Sequence, residues 1–188
     1  MGDDDPPAND LDEAVSLCAW TPSWAGQAVS EAALISGQLG DDTAIEHIGS
    51  TAIPGLIAKP VLDLMVGAAR AKDIDRFAGR LASVGWTDLG EAGVQRRRHL
   101  RQRSGAAVNV HIVIVGGPHW TNNLLVRNFL RAHPAEVDAY AARKAAIVTG
   151  GAIRLLAYSD AKSDFIRNLI GRADQWRRDS TASGIITA

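Results

Sequence analysis

Cysteine is almost missing from this chain. Cys18 stands alone among 188 residues, which excludes an intramolecular disulfide and any metal cage built from thiolates, and suits a reducing cytoplasm. Excess charge of either sign is missing too. Twenty Lys and Arg face 21 Asp and Glu, the formal charge is −1 and the pI is about 6.5, so no global field draws the protein to nucleic acid or to anionic lipid. Long apolar runs are absent: none approaches the roughly 18 residues that a membrane span needs. The start, MGDDDPPANDLDE, is acidic where a secretion signal has a basic end and an apolar middle, and Pro6 stands where a myristoylation signal has Ser or Thr. A cytoplasmic protein with no membrane partner is expected. Residues 1–12 and 179–188 offer almost nothing to bury, so a disordered acidic tail and a flexible tail are expected to flank one domain over 13–178.

What is present is patterned. TPSWAGQAVSEAALISGQLG reads as an amphipathic helix opening near Pro22 and closing at Gly40. Residues 44–48 and 60–66 read as short strands around a Gly/Pro-rich segment, and 71–84 has helical periodicity. Asp88 to Arg103 reads as a hairpin with a Gly90–Gly93 turn and a basic second arm. VNVHIVIVG is the clearest strand. TNNLLVRNFLRAH, PAEVDAYAARKAAIV and SDAKSDFIRNLIGRADQWRR then make the C-terminal third helical.

Alternation along the strands decides which side chains can meet. His47 shares a face with Ile45; Asp63 shares one with Val61 and Met65; Asn109 and His111 share the only polar face of the third strand. If the three strands are neighbours, His47, Asp63, Asn109 and His111 can converge beside Gly49, Ser50 and Thr51. The competing account makes each a half-buried polar residue satisfied by the backbone. Gly49-Ser50 after a strand suits either a phosphate cradle or an ordinary tight turn, and Lys59 suits either an anion or the surface. In Arg96–Arg103, the residues Arg97, His99, Arg101 and Arg103 fall on one face of a strand. They fit a charge-protected edge strand or a grip on a substrate phosphate or carboxylate, whereas nucleic acid is disfavoured by the absence of interleaved aromatics. Arg127 and Arg131, four apart, share a helix face. Trp20, Trp24, Trp86, Trp120 and Trp176 are expected chiefly as packing anchors.

HIGSTAIPGLIAKPVLDLMV resembles the signature of the GrpB family, small proteins with the nucleotidyltransferase fold. The resemblance continues through VHIVIV, through WTNNLLVRNFLRAHP, through Tyr140 with Lys144, and through AYSDAKSDFI with Tyr158 and Lys162, covering about Trp20 to Trp176. It implies an α/β (α+β) domain, a mixed sheet flanked by helices. It also implies a small-molecule substrate and nucleotidyl transfer from ATP or another nucleoside triphosphate. Mg²⁺ or Mn²⁺ would sit at Asp63, with Ser50 and Lys59 on phosphate and Lys144, Tyr158 and Lys162 lining the cleft, Tyr158 and Tyr140 otherwise serving as structural residues. Met65 stands where a second same-face carboxylate is usual, Asn109 or His111 takes the third acidic position, and Asn128 replaces an aspartate beside Arg127. Two alternatives follow. Asp63 and His111 can form a metal-free acid/base pair in a repurposed biosynthetic enzyme or line a non-catalytic metabolite pocket, and His47, Asp63 and His111 match in composition a site for Fe, Mn or Zn.

Overall fold

The computed structural model describes residues 12–182; the expected tails lie outside them except at their inner ends. There the Asp12 carboxylate accepts bonds from the Leu156 amide at 2.9 Å and Arg154 Nε at 3.2 Å, and the last helix continues through Ala182.

The elements run α1 Ser23–Leu39, β1 Ile45–Ile48, a 3-10 turn Ser50–Ala52, β2 Leu62–Ala68, α2 Ala71–Ser83, β3 Thr87–Asp88, β4 Arg98–Gln102, β5 Val108–Ile114, α3 Pro118–Ala132, α4 Pro134–Thr149 and α5 Leu155–Ala182. Pro118 and Pro134 open their helices, where a missing N–H costs nothing and φ is already helical. The sheet order is β1-β2-β5-β4-β3. Only β2 and β5 run parallel; the other neighbours are antiparallel.

Alternation gives this sheet two different faces. Leu62, Leu64 and Val66 of β2 lie beside Val108, Val110 and Ile112 of β5 and bury against Trp24, Ile35, Phe77 and Leu81 of α1 and α2. Burial of each large side chain there contributes about 1.5–3 kcal/mol, so this face holds the domain together. The opposite face is apolar only at one end, where Ile48, Met65 and Val113 pack on Trp120 of α3. Gly67 makes that approach possible, since a Cβ there would meet Trp120 Cζ3 at 2.9 Å. Helices α4 and α5 pack on α3 around Phe129, Leu130, Tyr140 and Leu169. The rest of the second face stays open and carries the polar residues. A mixed sheet flanked by helices, with a helical C-terminal third, is the nucleotidyltransferase-like arrangement the resemblance implies. Among the described residues no helix is long and apolar enough to cross a membrane.

Candidate functional site

The floor of the site is set by strand register. Parallel pairing puts Asp63 opposite Asn109 and Met65 opposite His111, and antiparallel pairing sets His99 against His111. Three of the four expected polar residues therefore do converge. Asn109 Nδ2 donates to Asp63 Oδ1 at 2.9 Å, and His111 Nε2 lies 3.2 Å from the same oxygen. Arg97 donates toward His111 Nδ1 at 3.5 Å, which makes Nε2 the protonated nitrogen and His111 a donor to Asp63. Burial alone pushes the Asp63 carboxyl up; the His111 and Asn109 bonds and the charge of Lys59 outweigh it and hold the group well below the ordinary carboxylate range. Asp63 is an anion at neutral pH. The His99 ring lies 4.7 Å from that of His111, and burial, with His111 and Arg97 nearby, lowers its pKa to about 3.

Both bonds fall on Oδ1, so Oδ2 is turned to the cleft and to Gly49. That glycine has φ 69° and ψ −169°, a combination only glycine adopts readily, costing other residues about 1–3 kcal/mol. A Cβ there would also stand 3.0 Å from Asp63 Cβ and closer still to Oδ2. Gly49→Ala is therefore expected to lower unfolding free energy by at least about 2 kcal/mol, as urea denaturation would measure, and to displace the carboxylate.

His47 does not join this group. Its partner across the sheet is Leu64, while Ile48 faces Asp63, so His47 points to the α1 side and its Nε2 bonds Thr51 Oγ1 at 2.9 Å. Burial, together with Arg131 and Arg127, lowers its pKa to about 4. The strand reading was right about alternation, but alternation within one strand cannot say which of its faces meets Asp63. The residue that takes the cleft side is Glu46, opposite Met65, which the sequence reading passed over. Glu46 Oε2 accepts from Arg127 NH1 at 2.6 Å, and the same nitrogen donates to the His47 carbonyl at 3.0 Å. Arg131 reaches the Ala52 carbonyl at 2.9 Å and acts as a tie between α3 and the 3-10 turn. The basic run also divides. Arg98 pairs with Asp88 and Asp75 on the other face, Arg103 binds Glu13 and Asn109, and Arg97 faces the cleft.

Cations close the other side. Lys144 is 2% exposed and reaches Ser50 Oγ at 2.6 Å and the Ile57 carbonyl at 2.5 Å, with its Nζ 4.9 Å from the Tyr140 ring centre. Burial and the neighbouring Lys162 and Lys59 lower its pKa to about 7. Lys162 lies over the Tyr158 ring at 4.8 Å, and burial and Lys59 bring it down to about 8. These three lysines, Ser50, Thr51, Asp63 and Tyr158 line a cavity of about 50 Å³. The Tyr158 hydroxyl is buried there without a hydrogen-bond partner among the described residues, an arrangement that calls for an acceptor. Ser50, Asp63 and Lys162 also border a groove of about 580 Å³ that runs out between α3 and α5 past Arg97, Arg127 and Arg167.

Among the described residues no three His, Cys, Asp or Glu side chains are grouped to hold a metal ion, and the sheet separates His47 from Asp63 and His111. A resident two-metal centre of the kind that the fold implies does not fit either. Met65 is fully buried and apolar, Asn109 donates to Asp63 where a ligand would have to accept, and Glu46 is committed to Arg127. One carboxylate oxygen is left, where Mg²⁺ wants several hard ligands in fixed geometry.

Comparison with known proteins gives the family and the fold. The family model described as GrpB protein matches residues 14–172. A UPF0157 protein of Streptomyces coelicolor is 33% identical over 165 residues, 87% of either chain. The UPF0157 protein YqkA of Bacillus subtilis is 30% identical over 145 residues, and this chain spans only 42% of its length. The crystal structure of conserved protein GrpB from Enterococcus faecalis superposes with a TM-score of 0.75 at 28% identity, covering 86% of this chain and 99% of that one. The matched span runs from Ala14, one residue past Glu13, through Asp63, His111, Lys144 and Lys162 into α5, and the chain belongs to the GrpB protein family.

Proposed function

We propose that the cleft binds a nucleoside triphosphate and transfers its nucleotidyl group to a small acceptor. The observation that supports this best is a cation cluster in which Lys144 is buried and Lys59 and Lys162 are half-buried. Lys59, Lys144 and Lys162 surround a cavity of phosphate dimensions beneath Ser50, the Tyr158 hydroxyl has no other partner there, and Asp63 stands beside it. Three ammonium groups with one carboxylate in a half-dry cleft favour a polyanion. In this reading the terminal phosphates enter the lysine cavity, Arg97 and Arg127 meet the remaining charge, and the nucleoside extends along α3 and α5. An acceptor O–H bonds Asp63 Oδ2, which fixes its oxygen for attack on the α-phosphorus. The bond from that phosphorus to its bridging oxygen breaks, the lysines and Ser50 stabilise the departing pyrophosphate, and the acceptor proton goes to solvent. The exposed thiol of Cys18 suits a cytoplasmic setting.

Titration calorimetry tests this with ATP, CTP and GTP in metal-free buffer and again with Mg²⁺ or Mn²⁺. Binding is expected without metal, because the protein itself supplies the countercharge. No binding under any condition would overturn the reading, and a strict requirement for metal would overturn the role given to the lysines.

A further inference from the structure

The segment preceding α1 makes a connection that the proposed reaction does not use. Glu13 grips Arg103 with both carboxylate oxygens, Oε2 on Nε and Oε1 on NH2, each at 2.7 Å. The NH2 group also donates to Asn109 Oδ1 at 2.9 Å, and NH1 holds the carbonyls of Gln102 at 2.9 Å and Val108 at 3.0 Å. All five N–H bonds of a guanidinium are thereby used, so its plane is locked. A locked Arg103 fixes the Asn109 amide with its oxygen toward the arginine and its nitrogen toward Asp63. Turned the other way, the amide would set an oxygen against the Asp63 carboxylate and an N–H against a cation. From Glu13 to Asp63 the chain thus alternates anion, cation, dipole and anion without a break.

The backbone carrying Glu13 is itself fastened at two places. Leu155 donates to the Glu13 carbonyl at 2.8 Å and Val15 to the Ile153 carbonyl at 2.8 Å, so the segment lies along the start of α5, the helix that also carries Lys162. It then pairs Cys18 with Ala58, next to Lys59. We propose that Glu13 is a positioning residue for the cleft carboxylate: through Arg103 and Asn109 it holds Asp63 oriented, and it ties that orientation to the docking of α5 on the sheet. Only a bidentate carboxylate and a forked guanidinium can make this link, which a lysine at 103 would break. The groups facing Glu13 are Arg103, Lys59 and Arg101; those acting on Asp63 include His111, Asn109 and Lys59.

This inference rests on the proposed function only for the importance of Asp63, and its test needs no nucleotide, so the two fail separately. In the full chain, NMR would follow the Asn109 side-chain amide and the Asp63 carboxyl carbon in the native protein, in Glu13→Gln and in Asp12→Asn. The last variant removes the charge and the Arg154 arm of another anchor of the same segment, Asp12 to Leu156 and Arg154, which leads away from Asp63. Glu13→Gln is expected to speed exchange of the Asn109 amide protons about tenfold, the loss of one charge-assisted bond, and to move the Asp63 titration upward. Asp12→Asn should leave both signals in place. Unchanged Asn109 and Asp63 signals in folded Glu13→Gln would overturn the proposal, as would an equal response in Asp12→Asn, which would mark the segment as a general brace.

Discussion

Asp63→Asn should reduce nucleotidyl transfer by at least about 100-fold in kcat while leaving ATP affinity unchanged or slightly improved. The split follows from the two roles of the neighbours. Phosphate affinity comes from Lys59, Lys144 and Lys162, and removing an anion from among them weakens nothing that holds the triphosphate. Orientation of the acceptor comes from Oδ2, and an asparagine there offers either a neutral oxygen or an N–H that turns the acceptor away. The change also has a stability signature with a definite sign. The folded carboxyl lies below its ordinary value because of the His111 and Asn109 bonds, so its contribution is present above the unfolded pKa of about 3.9 and is lost as pH falls through the folded value. The native protein should therefore melt above Asp63→Asn at pH 7, and the gap should narrow as pH drops below 4. Thermal melts at a series of pH values with ATP titrations at pH 7 check both halves. Parallel losses in kcat and affinity would mean that Asp63 serves binding instead.

The fold and the floor of the site were legible because strand alternation is a strong signal. VNVHIVIV has one wholly apolar face, which leaves Asn109 and His111 together, and Asp63 joins them as soon as β2 and β5 pair in parallel. What stayed hidden depends on register between strands, on which a single strand is silent. His47 and Glu46 are adjacent, and a shift of one residue decides which enters the cleft; the histidine drew attention by its chemistry, and the glutamate took the place by pairing with Met65. Lys144, Tyr158 and Lys162 came from family resemblance, since their helices α4 and α5 reach Ser50 across roughly a hundred residues. Glu13 could not be found from the sequence by any local rule, because its bond to Arg103 spans ninety positions and begins in a segment without regular structure.

Lys144→Met should weaken pyrophosphate and ATP binding by about 10–100-fold, the worth of a charge-assisted bond in a buried setting, and should remove the share of its pH dependence that Lys144 carries, leaving that of Lys162. The reason lies in the state of the two lysines before the ligand arrives. With pKa values brought down to about 7 and 8, part of their charge is missing at neutral pH, and an anion in the cavity restores it by drawing protons from solvent onto the two amines. Affinity should fall as pH rises from 6 to 9, and calorimetry in buffers of different ionisation enthalpy should register proton uptake at pH 7.5 to 8. Stability without ligand runs the opposite way. Both folded values lie below the 10.4 of a free lysine, so the unfolded chain binds more protons between pH 7 and 10 and the empty protein should gain stability as pH rises through that interval. Lys144→Met takes a buried charge out of the empty protein, and at pH 6 it should melt higher than the native chain if the methionine fills the same space. The variant is then stabler, folded and weaker toward phosphate, a combination that separates a lysine kept for its ligand from one kept for the fold. Undiminished phosphate affinity in that variant would locate the anion site elsewhere in the cleft.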